Sequence, residues 1–117
     1  MENFLIVVSD TQLLVGLSDC CRGMNFTPHG LTDGSYVLPW VEERAPSAII
    51  LDTSAEGVNA LELCSEIAAN SSAALFVLTK DGGEMDQLKS EDLGVKAFFS
   101  KPLKPAAVFN QIKSLLP

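Results

Sequence analysis

Four polar residues follow apolar runs of this sequence, each one or two residues past the end of a run. They are Asp10, Asp52, Thr79 and Lys101. If the runs are parallel strands, their carboxyl ends meet at one edge of a sheet, where ligands of such sheets bind. Two carboxylates, a hydroxyl and an ammonium group suit phosphoryl transfer, which requires mainly positioning and charge neutralisation. An aspartate can attack phosphorus and form an acyl phosphate, and Mg²⁺ relieves the repulsion between two carboxylates.

The runs that must position these residues are continuous stretches of apolar residues. They cover residues 4–8, 48–51, 73–78 and 97–99. Continuous rather than alternating apolar residues predict strands that are buried on both faces, as in a parallel sheet. Residues 26–31 predict one further strand, and Pro28 and Gly30 place it at an edge of the sheet.

Apolar stripes at helical spacing separate the predicted strands. They indicate helices around residues 13–24, 58–68 and 108–116. A shorter helix is predicted around Met85 and Leu88, closed by Gly94 as a left-handed cap. Another is predicted around residues 36–41, where Pro39 must start or kink it. Strand and helix alternate five times, which predicts a doubly wound α/β fold.

Composition excludes several classes of protein. The 117 residues suit one domain, and 15 acidic against 8 basic residues argue against direct binding of nucleic acid. No apolar run has the length of a membrane span, and residues 1–3 lead straight into a strand rather than a signal peptide. Three cysteines without metal-binding spacing predict reduced thiols on helix faces and therefore a cytoplasmic location.

At the strand ends the sequence resembles the receiver domain of response regulators of two-component signalling. The matching motifs are Val7-Val8-Ser9-Asp10, Ile49-Ile50-Leu51-Asp52, Leu78-Thr79 and Phe98-Phe99-Ser100-Lys101-Pro102. The most specific is the Lys-Pro pair after a short strand, and the resemblance covers essentially the whole chain. It implies one receiver domain over residues 1–117, either alone or as the N-terminal module of a longer protein. The implied fold is flavodoxin-like, with strand order 2-1-3-4-5 and five helices.

The resemblance also implies a role for each site residue. Asp52 would be the phosphoacceptor, and Asp10, Asp52 and the carbonyl of Ser54 would bind Mg²⁺. Thr79 would donate a hydrogen bond to the phosphoryl group, and Lys101 would pair with it. Phe98 matches an aromatic switch position, and the Lys101–Pro102 bond is expected to be cis.

The function implied is a switch, not an enzyme with a separate substrate, although the domain catalyses its own phosphorylation and dephosphorylation. A sensor histidine kinase or phosphotransfer protein would donate the phosphoryl group. A downstream effector domain or protein would read the face built from the fourth helix, fifth strand and fifth helix. A homodimer is possible, and neither a membrane nor a nucleic acid is expected as a direct partner.

Several residues depart from the pattern of receiver domains. Ser9 replaces the first of two usual acids, and Lys80 follows Thr79 where a small residue is usual. In the loop after Asp52, Glu56 and Ala60 replace the usual proline and glycine. These departures support an alternative, a degenerate receiver that binds partners without phosphorylation.

Other interpretations remain open. Asp10 could be an N-cap, although Ser9 and Thr11 could also take that position, and Asp52 could form a purely structural ion pair with Lys101. A phosphatase with an aspartate nucleophile would need a second aspartate where Gln12 stands. A dinucleotide-binding protein would need glycines after the first strand. His29 is expected to be a surface residue.

Overall fold

A single parallel sheet of five strands forms the centre of the molecule. The computed structural model describes residues 2–80 and 93–116. The strands lie in the order β2-β1-β3-β4-β5, and all neighbouring pairs are parallel. They are β1 (Asn3–Val7), β2 (Thr27–Leu31), β3 (Ala48–Asp52), β4 (Ala74–Thr79) and β5 (Val95–Ser100). The predicted flavodoxin-like fold and strand order are therefore confirmed.

Four helices among the described residues cover the two faces of the sheet. They are α1 (Thr11–Gly23), α2 (Val37–Arg44), α3 (Ala60–Asn70) and α4 (Pro105–Leu115), and a short 3-10 turn (Gly34–Tyr36) precedes α2. The last of these is the fifth helix of the prediction. The helix predicted around Met85 and Leu88 lies outside the described residues, whereas Gly94 has the predicted left-handed conformation, with φ of 62°.

Both faces of the sheet bear an apolar layer, because successive strand residues point to opposite faces. Leu5 and Val7 of β1 pack with buried residues of α2 and α3, and we call this the α2–α3 layer. Phe4 and Ile6 pack with buried residues of α1 and α4, and we call this the α1–α4 layer. Burial on both faces explains the continuous apolar runs of the sequence.

Among the described strands, β2 lies at the edge of the sheet beside β1, as its proline and glycine predicted. The expectation of a surface position for His29 is met only in part. His29 is half-buried, its Nε2 lies 3.1 Å from Asn3 Oδ1, and its ring lies 5.1 Å from that of Trp40. A tryptophan on the neighbouring helix covers the edge here, which a strand-by-strand reading of the sequence does not reveal.

Two prolines lie where helices tolerate them. Pro39 is in the first turn of α2, and Pro105 is the first residue of α4, where the missing N–H has no helical partner to lose. A Cβ on Gly16 of α1 would lie 2.8 Å from Pro105 Cγ, so this glycine permits close approach of the two helices. None of the helices in the described parts of the chain is long and apolar enough to cross a membrane.

Candidate functional site

Asp52, the last residue of β3, lies at the carboxyl edge of the sheet with 2% of its surface exposed. Its Oδ1 accepts hydrogen bonds from the Ser54 amide at 2.9 Å and from Ser54 Oγ at 2.7 Å. Its Oδ2 accepts from Lys101 Nζ at 2.5 Å. A buried carboxylate is costly unless it is paired and hydrogen-bonded, and these contacts meet both conditions.

Lys101 directly follows β5 and reaches across the end of β4 toward Asp52. Its amide donates to the carbonyl of Thr79 at 2.9 Å, which continues the pairing of β4 with β5 by one residue. Its Nζ also donates to Ser54 Oγ at 3.0 Å. The three side chains of Asp52, Ser54 and Lys101 therefore form a closed ring of hydrogen bonds. The Lys101–Pro102 bond is cis, as predicted.

Thr79 ends β4, the strand between the one that ends in Asp52 and the one that leads to Lys101. The residue is fully buried, and its Oγ1 has no hydrogen-bond partner among residues 2–80 and 93–116. Most buried side-chain polar atoms in proteins have a partner, so an unpaired hydroxyl calls for an explanation. The hydroxyl of Thr53, by contrast, has a partner, because its Oγ1 donates to the carbonyl of Leu78 at 3.2 Å.

Asp10 is the N-cap of α1. Its Oδ1 accepts hydrogen bonds from the amides of Gln12 at 3.0 Å and Leu13 at 3.3 Å. The capping role that the sequence also allowed to Ser9 or Thr11 therefore belongs to Asp10 itself. Because Asp10 is exposed and the bonds use Oδ1, capping is compatible with a second role for the carboxylate.

Ser9 makes two hydrogen bonds that sequence reasoning did not foresee. Its Oγ donates to the carbonyl of Thr32 at 2.9 Å and accepts from the amide of Glu56 at 3.0 Å. These residues lie in the loops after β2 and β3. No signal in the sequence points to this bridge, because it depends on how two loops fold against each other.

The sequence profile of the response regulator receiver domain matches residues 4–113. This chain belongs to the receiver domain family. It is 31% identical over 112 residues to the transcriptional regulatory protein BaeR of Escherichia coli O6:H1, and this alignment covers 96% of this chain and 47% of BaeR. It is 27% identical to the DNA-binding response regulator MtrA of Mycolicibacterium smegmatis, over 98% of this chain and 50% of MtrA. The chain thus spans about half the length of these curated relatives.

Solved structures share the fold at low sequence identity. The chemotaxis response regulator CheY4 of Vibrio cholerae superposes with a TM-score of 0.85 at 16% identity, over 99% of each chain. The receiver domain of DrrB in its BeF3-activated form superposes with a TM-score of 0.80 at 19% identity, over 98% of this chain and 97% of that one. At such identities the likeness concerns the fold alone.

The oxygen donors of this receiver domain fit a hard cation such as Mg²⁺. Asp10 and Asp52 offer carboxylates, and Ser54 offers a backbone carbonyl. In the part of the chain that the structure describes, no three side chains of His, Cys, Asp or Glu cluster as a metal site. Mg²⁺ in proteins is typically held by one or two carboxylates, with water and phosphate oxygens completing its shell. The types of donor present match that pattern.

Lys80 lies at the exposed carboxyl edge of the receiver domain, directly after β4. It lines an open groove of about 450 Å³ beside the ring of Asp52, Ser54 and Lys101. The other lining residues are Asp10, Leu13, Lys101, Pro102 and Leu103. Lys80 is thus a second lysine beside the groove, whereas the ammonium group of Lys101 is held by Asp52 and Ser54.

Phe98 lies on β5 opposite Val77 of β4. It is half-buried and packs against the α2–α3 layer. Its neighbour Phe99 is buried in the α1–α4 layer. Phe98 is thus the partly exposed member of the pair and lies on the strand next to the one that ends in Thr79.

Proposed function

We propose that this receiver domain is a phosphorylation-dependent switch with Asp52 as its phosphoacceptor. The observation that carries the proposal is the buried hydroxyl of Thr79, which has no hydrogen-bond partner in the described part of the chain and lies at the end of the strand between Asp52 and Lys101. Burying a hydroxyl without a partner costs about 1–3 kcal/mol. A phosphoryl oxygen on Asp52 would be an acceptor for this hydroxyl and would remove that cost.

The proposed donor is the phosphohistidine of a sensor histidine kinase or of a phosphotransfer protein. A carboxylate oxygen of Asp52 attacks phosphorus, an O–P bond forms, and the N–P bond of the donor breaks to release the imidazole. Lys101, already bound to Oδ2, neutralises the negative charge of the phosphoryl group. When bound by Asp10, Asp52 and the carbonyl of Ser54, Mg²⁺ would add positive charge at the phosphoryl oxygens.

We propose that phosphorylation shifts an equilibrium between two conformations of the domain. Thr79 would turn toward the phosphoryl oxygen, and Phe98 would take the space that the threonine leaves. The affected surface would be the face of β5, α4 and the helix predicted between β4 and β5. A downstream effector would read this face, in a homodimer or by direct contact.

The names of the curated relatives suggest the kind of effector. BaeR is called a transcriptional regulatory protein and MtrA a DNA-binding response regulator. We propose a DNA-binding effector in the cytoplasm and no contact between the receiver and DNA. The net charge of −7 supports this division, because DNA binding requires basic side chains.

The experiment that tests the proposal is an NMR titration with Mg²⁺ and beryllofluoride, which mimics an acyl phosphate. In the wild type, the amide peaks of Asp52, Thr79 and Phe98 are expected to shift, and in Asp52→Ala they are not. Thr79→Val removes the hydroxyl and is expected to weaken binding about tenfold or more, as for a hydrogen bond to a charged group. Thr27→Val, at the opposite end of the sheet, is the matched control and should bind like the wild type.

A wild-type spectrum that does not respond would reject the proposal and favour the degenerate receiver. The degenerate receiver is favoured by the contacts of Ser54 and Lys101, which already occupy both carboxylate oxygens of Asp52, and by Ser9, which replaces an acid. Incubation with a generic phosphate ester addresses the third candidate, an aspartate-nucleophile phosphatase. Sustained hydrolysis that Asp52→Ala abolishes would identify an enzyme and not a switch.

A further inference from the structure

The hydroxyl of Ser9 joins the carboxyl ends of three neighbouring strands. Ser9 itself follows β1, the carbonyl that it binds belongs to Thr32 after β2, and the amide that it binds belongs to Glu56 after β3. Glu56 lies two residues after Ser54, whose amide and hydroxyl hold Asp52. The loop that positions the proposed phosphoacceptor is therefore tied to the end of β1 by one side chain.

The two loops that Ser9 joins also touch each other through their backbones. The amide of Gly34 donates to the carbonyl of Glu56 at 2.7 Å, and Asp33 and Glu56 form a parallel bridge. A Cβ on Gly34 would lie 2.8 Å from the carbonyl oxygen of Gly57. With so little space between them, the loops cannot shift separately without losing these contacts.

Serine suits this bridge better than the acid that receiver domains usually have at the position. A hydroxyl donates one hydrogen bond and accepts others, whereas an ionised carboxylate only accepts. A carboxylate at position 9 could accept from the Glu56 amide but would face the carbonyl oxygen of Thr32 without a proton. Serine therefore exchanges a negative charge near the proposed metal site for a bond between two loops.

We infer that Ser9 is a positioning residue, whose hydroxyl fixes the loop after β3 and so holds Ser54 against Asp52. The expected contribution of Ser9 to Mg²⁺ binding rests on the proposed function, in which the carbonyl of Ser54 is a ligand of Mg²⁺. The effect of Ser9 on the position of the loop does not depend on the proposed function. The two parts are therefore tested by separate measurements.

The first measurement is the solvent exchange of backbone amides by NMR without added metal, in the full chain. Ser9→Ala is expected to speed exchange at Glu56 about fivefold, the effect of one net hydrogen bond, and also to speed it at Ser54. Ser9→Thr keeps the hydroxyl and should restore wild-type rates. Ser114→Ala removes an exposed hydroxyl that donates to the Gln111 carbonyl at 2.8 Å, and should leave both rates unchanged.

The second measurement is titration with Mg²⁺ alone, followed by the Ser54 amide peak. The dissociation constant is expected to rise severalfold in Ser9→Ala and to return to the wild-type value in Ser9→Thr. Unchanged exchange at Ser54 in Ser9→Ala, or failure of Ser9→Thr to restore it, would overturn the inference. A wild type that binds neither Mg²⁺ nor beryllofluoride would reject the proposed function, whereas the exchange rates would still decide the role of Ser9.

Discussion

Replacing Lys101 with methionine is expected to destabilise the fold, because the carboxylate of Asp52 would remain buried without its cation. Asp52 is 2% exposed, and the side chain of Lys101 is 19% exposed. Methionine keeps most of the length of the lysine stem, so the variant removes the charge with little change in packing. The same variant also removes a group proposed for phosphoryl transfer, and stability is therefore measured without metal or phosphodonor.

The expected loss follows from what remains around Asp52. Removing one partner of a fully buried ion pair costs about 3–5 kcal/mol. In Lys101→Met, two hydrogen bonds from Ser54 remain and water reaches the position of the lysine, so we expect the free energy of unfolding to fall by about 2–3 kcal/mol. Asp52→Asn leaves a lysine that water can hydrate, and we expect the free energy of unfolding to fall by about 1 kcal/mol. In the double variant no charge is left unpaired, and its stability should lie within about 1 kcal/mol of the wild type.

Urea denaturation at pH 7.5, followed by circular dichroism, measures the four free energies of unfolding that this double-mutant cycle requires. Lys104→Met, at an exposed lysine nearby, is the control and should change stability by less than about 0.5 kcal/mol. The reasoning is refuted if Lys101→Met is as stable as the wild type. It is also refuted if the double variant is no more stable than Lys101→Met.

Two further predictions concern the loop after β3 and the thiols. Gly57 has φ of 76°, and a Cβ there would lie 2.6 Å from a carboxylate oxygen of the neighbouring loop, so Gly57→Ala should lower the free energy of unfolding in urea by about 1–2 kcal/mol. Gly23→Ala, with open space around its Cβ, should not lower it, and equal losses in the two variants would contradict the explanation. Burial raises the pKa of the Cys21 thiol to about 12 and that of Cys64 to about 11. Since thiolate is the reactive form, iodoacetamide at pH 8 should modify half-buried Cys20 in the native protein, and Cys21 and Cys64 only in urea. Mass spectrometry that finds Cys64 modified as fast as Cys20 in the native protein would contradict this.

Burial of the sheet on both faces explains why its strands could be predicted from the sequence. The runs that became β1, β3 and β4 are continuously apolar because each of these strands has a neighbour on both sides and a helical layer on both faces. Pro28 marked the edge strand for a different reason, because a missing N–H is tolerated there, and Gly30 agreed with it because a glycine weakens a central strand. The strand order followed from the resemblance to receiver domains.

Helical spacing predicted which side of each helix faces the sheet but not how wide the contact would be. Leu61 of α3 and Leu115 of α4 belong to predicted apolar stripes, yet they are exposed. A leucine at the margin of a stripe is buried only if a neighbouring element reaches it. The packing of one helix against the next decides this, and it is not encoded in the periodicity of a single segment.

For the candidate site, the sequence predicted which residue types meet at the carboxyl edge, and the structure brings Asp52 and Lys101 together there. Their phosphorylation chemistry and the metal remain predictions. The sequence could not show that the hydroxyl of Ser54 closes a ring with them, or that Ser9 bridges two loops. Both features depend on loop conformations, and a pattern of residue types does not specify how a loop directs its side chains.

Phe98 and Phe99 are adjacent in the chain, yet they belong to separate apolar layers on opposite faces of the sheet. For protein engineering, this separation divides the molecule into two sets of positions that can be randomised one at a time. A library restricted to the α2–α3 layer would preserve the side-chain packing of α1 and α4 as a constant support. New packing arrangements could then be selected on one side of the sheet without redesigning the other.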